Sequence, residues 1–135
     1  MYYVASSKYK AAKNKKNYNS STGIPLSVLE FPEDTEIAVL EMGMDKLGEI
    51  ADLVTLAEPD IAIITSITEV NLLSLGNVEN ILKAKMEITT GFNNENVLIV
   101  NGENDLLKTL SIKDYEVIKI GADDDNYDIK AKNIK

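Results

Sequence analysis

The sequence predicts an α/β fold, a mainly parallel and doubly wound sheet with helices on both faces. Two observations predict this fold. Short apolar runs rich in β-branched residues alternate with segments of helical periodicity, which is typical of successive βαβ units. Neither internal repeats nor low-complexity tracts interrupt that alternation. The 135 residues suffice for one hydrophobic core, so we expect residues 1–135 to form a single domain.

The apolar runs define the predicted strands. Each is short and is rich in isoleucine and valine, as buried parallel strands are. Four are expected inside the sheet: Ile37–Met42, Ile61–Ile67, Val97–Asn101 and Glu116–Ile120. A weaker strand, Asp128–Ile134, is expected at an edge. We therefore divide the domain into a basic helix remnant and strand over residues 1–16, an α/β core over 17–121, and the start of an edge-strand region over 122–135.

Helices are predicted between the strands. One has apolar residues at helical spacing and ends at Pro59: its stripe is Ile50, Leu53, Val54 and Ala57. A second begins after the N-cap Asn77 and ends at Gly91: its stripe is Val78, Ile81, Leu82, Lys85 and Ile88. Shorter helices are expected at Ile24–Glu30, where Pro25 suits the first turn, and at Asp105–Leu110. Tyr3–Tyr9 has the pattern of the end of a helix.

The composition excludes several classes of function. The sequence has no cysteine and no histidine, which rules out disulfides, a thiolate nucleophile and a Ser-His-Asp triad. Any metal must be held by oxygen or by a modified lysine, which favours magnesium or calcium. A net charge of −8 disfavours nucleic-acid binding. No apolar run approaches the roughly 18 residues that span a bilayer, and the N-terminus lacks a signal pattern, so a cytoplasmic protein is expected.

The charge is unevenly distributed. Residues 1–29 contain no acidic residue, but they include five lysines: Lys8, Lys10, Lys13, Lys15 and Lys16. This end is either a solvated lysine-rich surface or a segment that attracts an anion. Two interpretations are also open for Tyr18: its ring stacks on a nucleotide base, or it lies in an ordinary polar loop.

Candidate site residues follow the strands, because open α/β sheets bind ligands at the carboxyl ends of their strands. Glu41 ends an apolar run and is followed by Gly43; it is either a magnesium ligand or a solvated strand end. The next strands end near Ser66 and at Asn101, where Asn101-Gly102 begins either a loop at the rim of a site or a hairpin. Residues 123–125, three aspartates, lack the glycine and glutamate of a calcium loop and are interpreted as a solvated turn.

Lys85 is unusual because it falls on the apolar stripe of its helix. It follows Leu82 by three residues and Ile81 by four. One interpretation is a lysine whose amine snorkels to solvent. The other is a lysine drawn inward for function, since burial lowers the pKa of the amine and makes it reactive.

Taken in order, several segments resemble the central ATP-binding domain of the Mur ligases, and among them the UDP-N-acetylmuramoyl-tripeptide:D-alanyl-D-alanine ligases. They are NYNSSTGIPLSVL from Asn17, EIAVLEMGMDKLGEI from Glu36, PDIAIITSITEVNLLSLGNVENILKAKMEI from Pro59, VLIVNGENDLL from Val97 and DIKAKNI from Asp128. The combination of EMGM, GEI and KAKMEI separates this family from the folylpolyglutamate synthetases that share its fold.

The resemblance implies an ATP- and Mg²⁺-dependent ligase of peptidoglycan precursor synthesis. Such enzymes phosphorylate the carboxylate of UDP-N-acetylmuramoyl-tripeptide, and the amine of D-alanyl-D-alanine attacks the acyl phosphate. By similarity, Lys85 would be a carbamylated lysine in the active site. The other implied roles are metal binding by Glu41 and Asn71, nucleotide binding by Asn101 and Asn104, and substrate binding by Asn17 and Asn19.

The sequence also departs from the family pattern. It contains no GxxGKT loop, whose backbone amides hold phosphates, so the resemblance is to a truncated central domain that we expect to be inactive alone. Asn71 stands where the family has a metal-binding histidine. Ser20 replaces an asparagine, and Thr68 and Lys16 replace glycines.

Three hypotheses follow from these similarities and departures. The chain is part of a working ligase, a degenerate non-catalytic relative that serves in binding or assembly, or an unrelated nucleotide-binding module. Without the family's first strand, a sheet edge would also be exposed and could support self-association.

Overall fold

The computed structural model describes residues 1–70, 72–122 and 127–132, and they form two parallel sheets. The larger sheet has the order β3-β4-β5-β6, with every neighbouring pair parallel: β3 is Ile61–Ile64, β4 is Val97–Asn101, β5 is Glu116–Gly121 and β6 is Ile129–Lys130. The smaller sheet pairs β1 (Ala11–Lys13) with β2 (Ile37–Val39), also in parallel. The predicted mainly parallel α/β class is confirmed.

Helices connect these strands. The five α-helices are α1 (Tyr2–Ala5), α2 (Gly23–Leu29), α3 (Glu49–Ala57), α4 (Leu72–Leu75) and α5 (Val78–Met86). Two 3₁₀ helices, Glu87–Thr89 and Leu107–Thr109, complete the described elements. Within that part of the chain, no helix is long and apolar enough to cross a membrane.

Residues at each end delimit α5 and the 3₁₀ helix Glu87–Thr89 that follows it. The side chain of Asn77 accepts a hydrogen bond from the backbone N–H of Asn80 at 2.8 Å, as predicted for an N-cap. Gly91 has a φ of 82°, a left-handed conformation that glycine adopts without a steric penalty. Asparagine at the start and glycine after the end therefore delimit this helical segment.

The core lies on one face of the larger sheet. Its buried members come from β3, β4, α4, α5 and the adjoining loops: Ala62, Ile64, Ile67, Leu75, Ile81, Ala84, Leu98, Val100 and Leu107. A second cluster of Ile24, Ile50, Leu53 and Val54 joins α2 to α3. Met44 and Ile88 pack against both clusters, so the segment after β2 and the 3₁₀ helix after α5 share one hydrophobic interior.

Several predicted elements are shorter than expected. The run Ile37–Met42 is a strand only to Val39, and Ile61–Ile67 only to Ile64. The predicted helix Asp105–Leu110 is the single 3₁₀ turn Leu107–Thr109, and Tyr3–Tyr9 is helical only within Tyr2–Ala5. The edge strand is Ile129–Lys130, while residues 133–134 of its predicted range lie outside the described residues.

Side chains bind the backbone just beyond the ends of β2 and β3. Beyond β2, the backbone N–H and C=O of Glu41 are bonded by the amide of Asn14. Beyond β3, the carbonyls of Ser66 and Ile67 accept from the side chains of Lys85 and Asn104. These side chains are the hydrogen-bond partners that a neighbouring strand would otherwise supply to the same backbone groups.

Candidate functional site

The polar residues singled out in the sequence follow the carboxyl ends of parallel strands. Glu41 comes two residues after β2, Ser66 two residues after β3, and Asn101 is the last residue of β4. In the register of the larger sheet, Ile64 pairs with Val100 and Asn101 pairs with Ile120, so β3, β4 and β5 end at one edge. Parallel strands bring their carboxyl ends together, which makes this edge the candidate site.

Lys85 reaches this edge from α5. The side chain is half-buried, and its Nζ donates a hydrogen bond to the backbone carbonyl of Ser66 at 2.8 Å. Burial lowers the pKa of the Lys85 amine below its usual range, because the surroundings solvate the charged form poorly. A lysine that snorkels away from the apolar face would end in solvent, whereas this amine ends on a carbonyl just beyond β3.

Glu41 presents its side chain to solvent while its backbone is held. Asn14 Oδ1 accepts from the Glu41 N–H at 2.9 Å, and Asn14 Nδ2 donates to the Glu41 carbonyl at 3.0 Å. The carboxylate is therefore exposed on a fixed segment of backbone.

Asn17 and Asn19 lie in the loop that approaches this segment. Asn17 has a φ of 69°, in the left-handed region that asparagine tolerates better than most residues. The carbonyl of Asn19 accepts a hydrogen bond from the Gly43 N–H at 2.8 Å. A Cβ at position 43 would lie 2.8 Å from Asn19 Nδ2, so a larger residue there would displace this side chain. The structure thus brings Asn19 beside the segment that contains Glu41.

Asn101 and Asn104 organise the loop after β4. Asn101 Oδ1 accepts from the Glu103 N–H at 3.0 Å, which turns the chain into a loop rather than a hairpin. Asn104 Nδ2 donates to the carbonyl of Ile67 at 2.9 Å. This bond ties the loop after β4 to the loop after β3.

A cavity opens beside Asn101 at the carboxyl ends of the strands. Its volume is about 450 Å³, and residues from β3 to β6 line it, including Thr65, Asn101 and Lys130. The ring of Tyr127 contacts the backbone at Gly102 and Gly121, where a Cβ would collide with it. Cavities of this kind, mostly apolar with a few polar groups, are typical of small-molecule sites.

The predicted metal ligands fit a magnesium ion that is bound partly by water and substrate phosphates. Among the residues that the structure describes, no three Asp, Glu, His or Cys side chains are grouped closely enough to hold a metal. Magnesium often keeps several waters and is bound through one or two carboxylates together with substrate phosphates. Glu41 suits this mode, in which one carboxylate binds magnesium together with waters and substrate phosphates. Asn71, the other predicted ligand, lies outside the described residues.

Sequence reasoning missed two residues of this region. Asn14 and Gly43 hold the Glu41 segment and the Asn17–Asn19 loop together, but neither had been assigned a role. A polar residue at the end of a short strand is a weak signal on its own. The contact between positions 14 and 41 exists only in the folded chain.

Together, the parallel strands, the polar residues at their carboxyl ends and the half-buried lysine define an α/β domain with a candidate site at the carboxyl edge of its sheet. The whole chain, residues 1–135, matches the model of the Mur ligase middle domain, and it belongs to that family.

Within this family, the chain is similar to ligases that share one name. The chain is 48% identical over 105 residues to the UDP-N-acetylmuramoyl-tripeptide–D-alanyl-D-alanine ligase of Bacillus subtilis, covering 78% of this chain and 23% of that protein. It is 34% identical over 135 residues to the ligase of the same name from Borreliella burgdorferi, covering 97% of this chain and 29% of that protein. The crystal structure of MurF ligase from Thermotoga maritima in complex with ADP superposes with a TM-score of 0.80 and 28% identity, over 89% of this chain and 28% of that one. The chain thus spans roughly a quarter of the length of these relatives.

Proposed function

We propose that this chain supplies the ATP- and metal-binding domain of a ligase that joins D-alanyl-D-alanine to UDP-N-acetylmuramoyl-tripeptide. The observation that carries the proposal is the inward Lys85, whose amine lies at the carboxyl end of β3 in a chain 48% identical to such a ligase over 105 residues. A relative of similar fold is described in complex with ADP, which supports a nucleotide as the ligand of this edge. We also propose a cytoplasmic location.

The proposed reaction has two steps. The carboxylate of the tripeptide attacks the γ-phosphorus of ATP, so that an O–P bond forms and ADP leaves. The amine of D-alanyl-D-alanine then attacks the acyl phosphate, forming the amide and releasing phosphate and a proton. Because two anions must meet in the first step, positive charge near the phosphates is the main requirement.

Each candidate residue has a role in this scheme. Glu41 and Asn71 would hold magnesium, Asn101 and Asn104 would contact the nucleotide, and Asn17 and Asn19 would contact the tripeptide substrate. When bound, magnesium neutralises phosphate charge during transfer. The cavity of about 450 Å³ beside Asn101 supports the nucleotide assignment, since it opens at the edge where α/β sheets bind such ligands.

Lys85 is proposed to react with carbon dioxide. The neutral amine attacks the carbon of CO₂, an N–C bond forms, and one proton passes to solvent, which leaves a carbamate in place of an ammonium ion. The half-buried position favours this step, because it lowers the pKa of Lys85 and raises the fraction of neutral amine. A negatively charged group there could help hold a second magnesium ion.

The alternative is a non-catalytic relative that keeps the fold for binding or assembly. It is favoured by the asparagine at position 71, where the family pattern has a metal-binding histidine.

One assay separates the two functions. The polypeptide that carries this domain is incubated with ATP, magnesium, UDP-N-acetylmuramoyl-tripeptide and D-alanyl-D-alanine, and the product is identified by mass spectrometry. We expect phosphate release that depends on both substrates and is lost in Lys85→Ala. Lys83→Ala, an exposed position on the same helix, is the matched control. Nucleotide binding without any ligation product would favour the non-catalytic alternative.

Self-association is a further proposal. Within the described residues, β3 pairs with β4 alone, so its other edge has unpaired backbone groups. Ile61 on this strand is 57% exposed. An open edge beside an exposed isoleucine favours pairing with a second chain.

A further inference from the structure

Asn14 has a polar side chain in a buried position. It directly follows β1, and only 8% of its surface is exposed. Its amide makes three hydrogen bonds: Oδ1 accepts from the Glu41 N–H at 2.9 Å, and Nδ2 donates to the carbonyls of Tyr18 at 2.9 Å and of Glu41 at 3.0 Å. Both amide hydrogens are therefore used.

These bonds fix the backbone from which the Glu41 side chain projects. The N–H and C=O of a residue flank its Cα, so holding both groups sets the direction of the Cα–Cβ bond. Strand pairing would normally hold these groups, but β2 ends at Val39. Asn14 thus holds a residue that the sheet no longer holds.

The third bond reaches the loop that contains Asn17 and Asn19. The Tyr18 carbonyl lies between those two residues in the chain, and Asn14 binds it and Glu41 through one nitrogen. A second contact lies close by, where the Gly43 N–H donates to the Asn19 carbonyl at 2.8 Å. The loop and the segment after β2 are consequently joined at two points.

We propose that Asn14 is a positioning residue that holds Glu41 and the Asn17–Asn19 loop as one unit. This inference rests on the proposed function, in which Glu41 binds magnesium and the loop binds the tripeptide. In this scheme Asn14 acts through these two elements and not by binding either ligand itself. Its effect is to keep the metal and the reacting carboxylate at a set separation, and small misplacements of reacting groups can cost about 100-fold in rate.

Three variants test this role. Asn14→Leu has a similar size and removes all three hydrogen bonds. Asn14→Thr is the conservative variant, because its hydroxyl can accept one bond and donate one. Ser27→Ala is the matched control: Ser27 is also a buried polar residue, 2% exposed, but its hydroxyl donates to the Gly23 carbonyl within α2 and does not contact Glu41.

The variants are made in the ligase polypeptide that carries this domain, and thermal unfolding is recorded first. Steady-state kinetics then separate kcat from KM for the tripeptide and for magnesium, and Mn²⁺ affinity is measured by electron paramagnetic resonance. We expect Asn14→Leu to lose roughly 10- to 100-fold in kcat/KM and to bind Mn²⁺ more weakly, with Asn14→Thr intermediate. Ser27→Ala should lose stability without either change.

Two results would overturn the inference. One is an Asn14→Leu enzyme whose kinetic constants and Mn²⁺ affinity match those of Ser27→Ala. The other applies where Asn14→Leu does not fold. Because a threonine hydroxyl cannot replace all three hydrogen bonds, an Asn14→Thr enzyme with the wild-type magnesium KM and Mn²⁺ affinity would then overturn the inference. A wild-type protein without ligase activity would instead contradict the proposed function, and the Mn²⁺ comparison would still decide whether Asn14 positions Glu41.

Discussion

The carboxylate of Glu87 binds the backbone N–H of Gly48, with Oε1 and Oε2 at 2.7 and 2.9 Å, across 39 positions of sequence. Glu87 Oε2 also accepts from the Ala51 N–H at 3.3 Å, within the first turn of α3. A residue that directly follows α5 thereby caps the start of α3. The cap also ties the segment after β2 to the helix that carries Lys85.

This cap should contribute to stability. We expect Glu87→Ala to lower the free energy of unfolding by about 0.5–2 kcal/mol, since it removes a negatively charged acceptor from a helix N-terminus. Urea denaturation measures the change. Glu33→Ala, at an exposed position in the loop before β2, should change stability by less than about 0.5 kcal/mol. Equal losses in the two variants would contradict the capping role.

Lys85 should make the free energy of unfolding depend on pH in the alkaline range. Its pKa is lowered in the folded protein, so between that pKa and the ordinary value the unfolded chain binds more protons than the folded one. Stability contributed by Lys85 therefore rises as pH increases through this window. Denaturation across that range should show a smaller rise for Lys85→Met than for wild type, while Lys83→Met should keep the wild-type slope.

The same amine should carry the carbamate. Incubation with ¹³C-labelled bicarbonate is expected to give one carbamate carbon signal by NMR in the wild-type polypeptide that carries this domain. The signal should vanish in Lys85→Met and persist in Lys83→Met. A signal that survives in Lys85→Met would assign the modification to another amine.

The chain of residues 1–135 should bind ATP weakly by itself. Without a GxxGKT loop, no ring of backbone amides holds the phosphates, and we expect a dissociation constant no tighter than about 1 mM, near −4 kcal/mol. Calorimetry with magnesium and ATP, together with a phosphate-release assay, tests this expectation. Micromolar binding with steady turnover would contradict it.

The open edge of β3 should govern self-association. Ile61→Lys places a charge on that strand, and charged residues on edge strands oppose pairing between chains. Light scattering after size exclusion should show a smaller species for this variant than for wild type. Leu29→Lys changes an 84% exposed leucine at the end of α2 and should leave the mass unchanged. A wild-type chain that is already monomeric would refute the proposal.

Local residues were enough to predict much of the fold. β4 spans Val97–Asn101 as predicted, because an uninterrupted apolar run is followed by a turn at Asn101-Gly102. The start of α5 follows from Asn77, whose capping bond lies within the same turn of chain. Such features depend on neighbours a few residues apart, so they can be predicted from the sequence.

The resemblance between the quoted segments and the Mur ligases also came from the sequence alone, and the family match over residues 1–135 confirms it. The roles of the candidate site residues remain predictions. Asn71 lies outside the described residues, and the sequence left two directions open for Lys85.

Tertiary structure decided where the strands end and which groups meet at the site. β2 ends at Val39, and beyond it Asn14, 27 positions before Glu41, supplies the partners for the backbone N–H and C=O of Glu41. The amine of Lys85 donates to the carbonyl of Ser66, 19 positions earlier in the chain. A hydrogen bond between distant residues depends on how the elements pack, and periodicity and propensity describe only neighbours in sequence. The fold class and the candidate residues could therefore be predicted from the sequence, whereas the hydrogen bonds that hold those residues depend on packing.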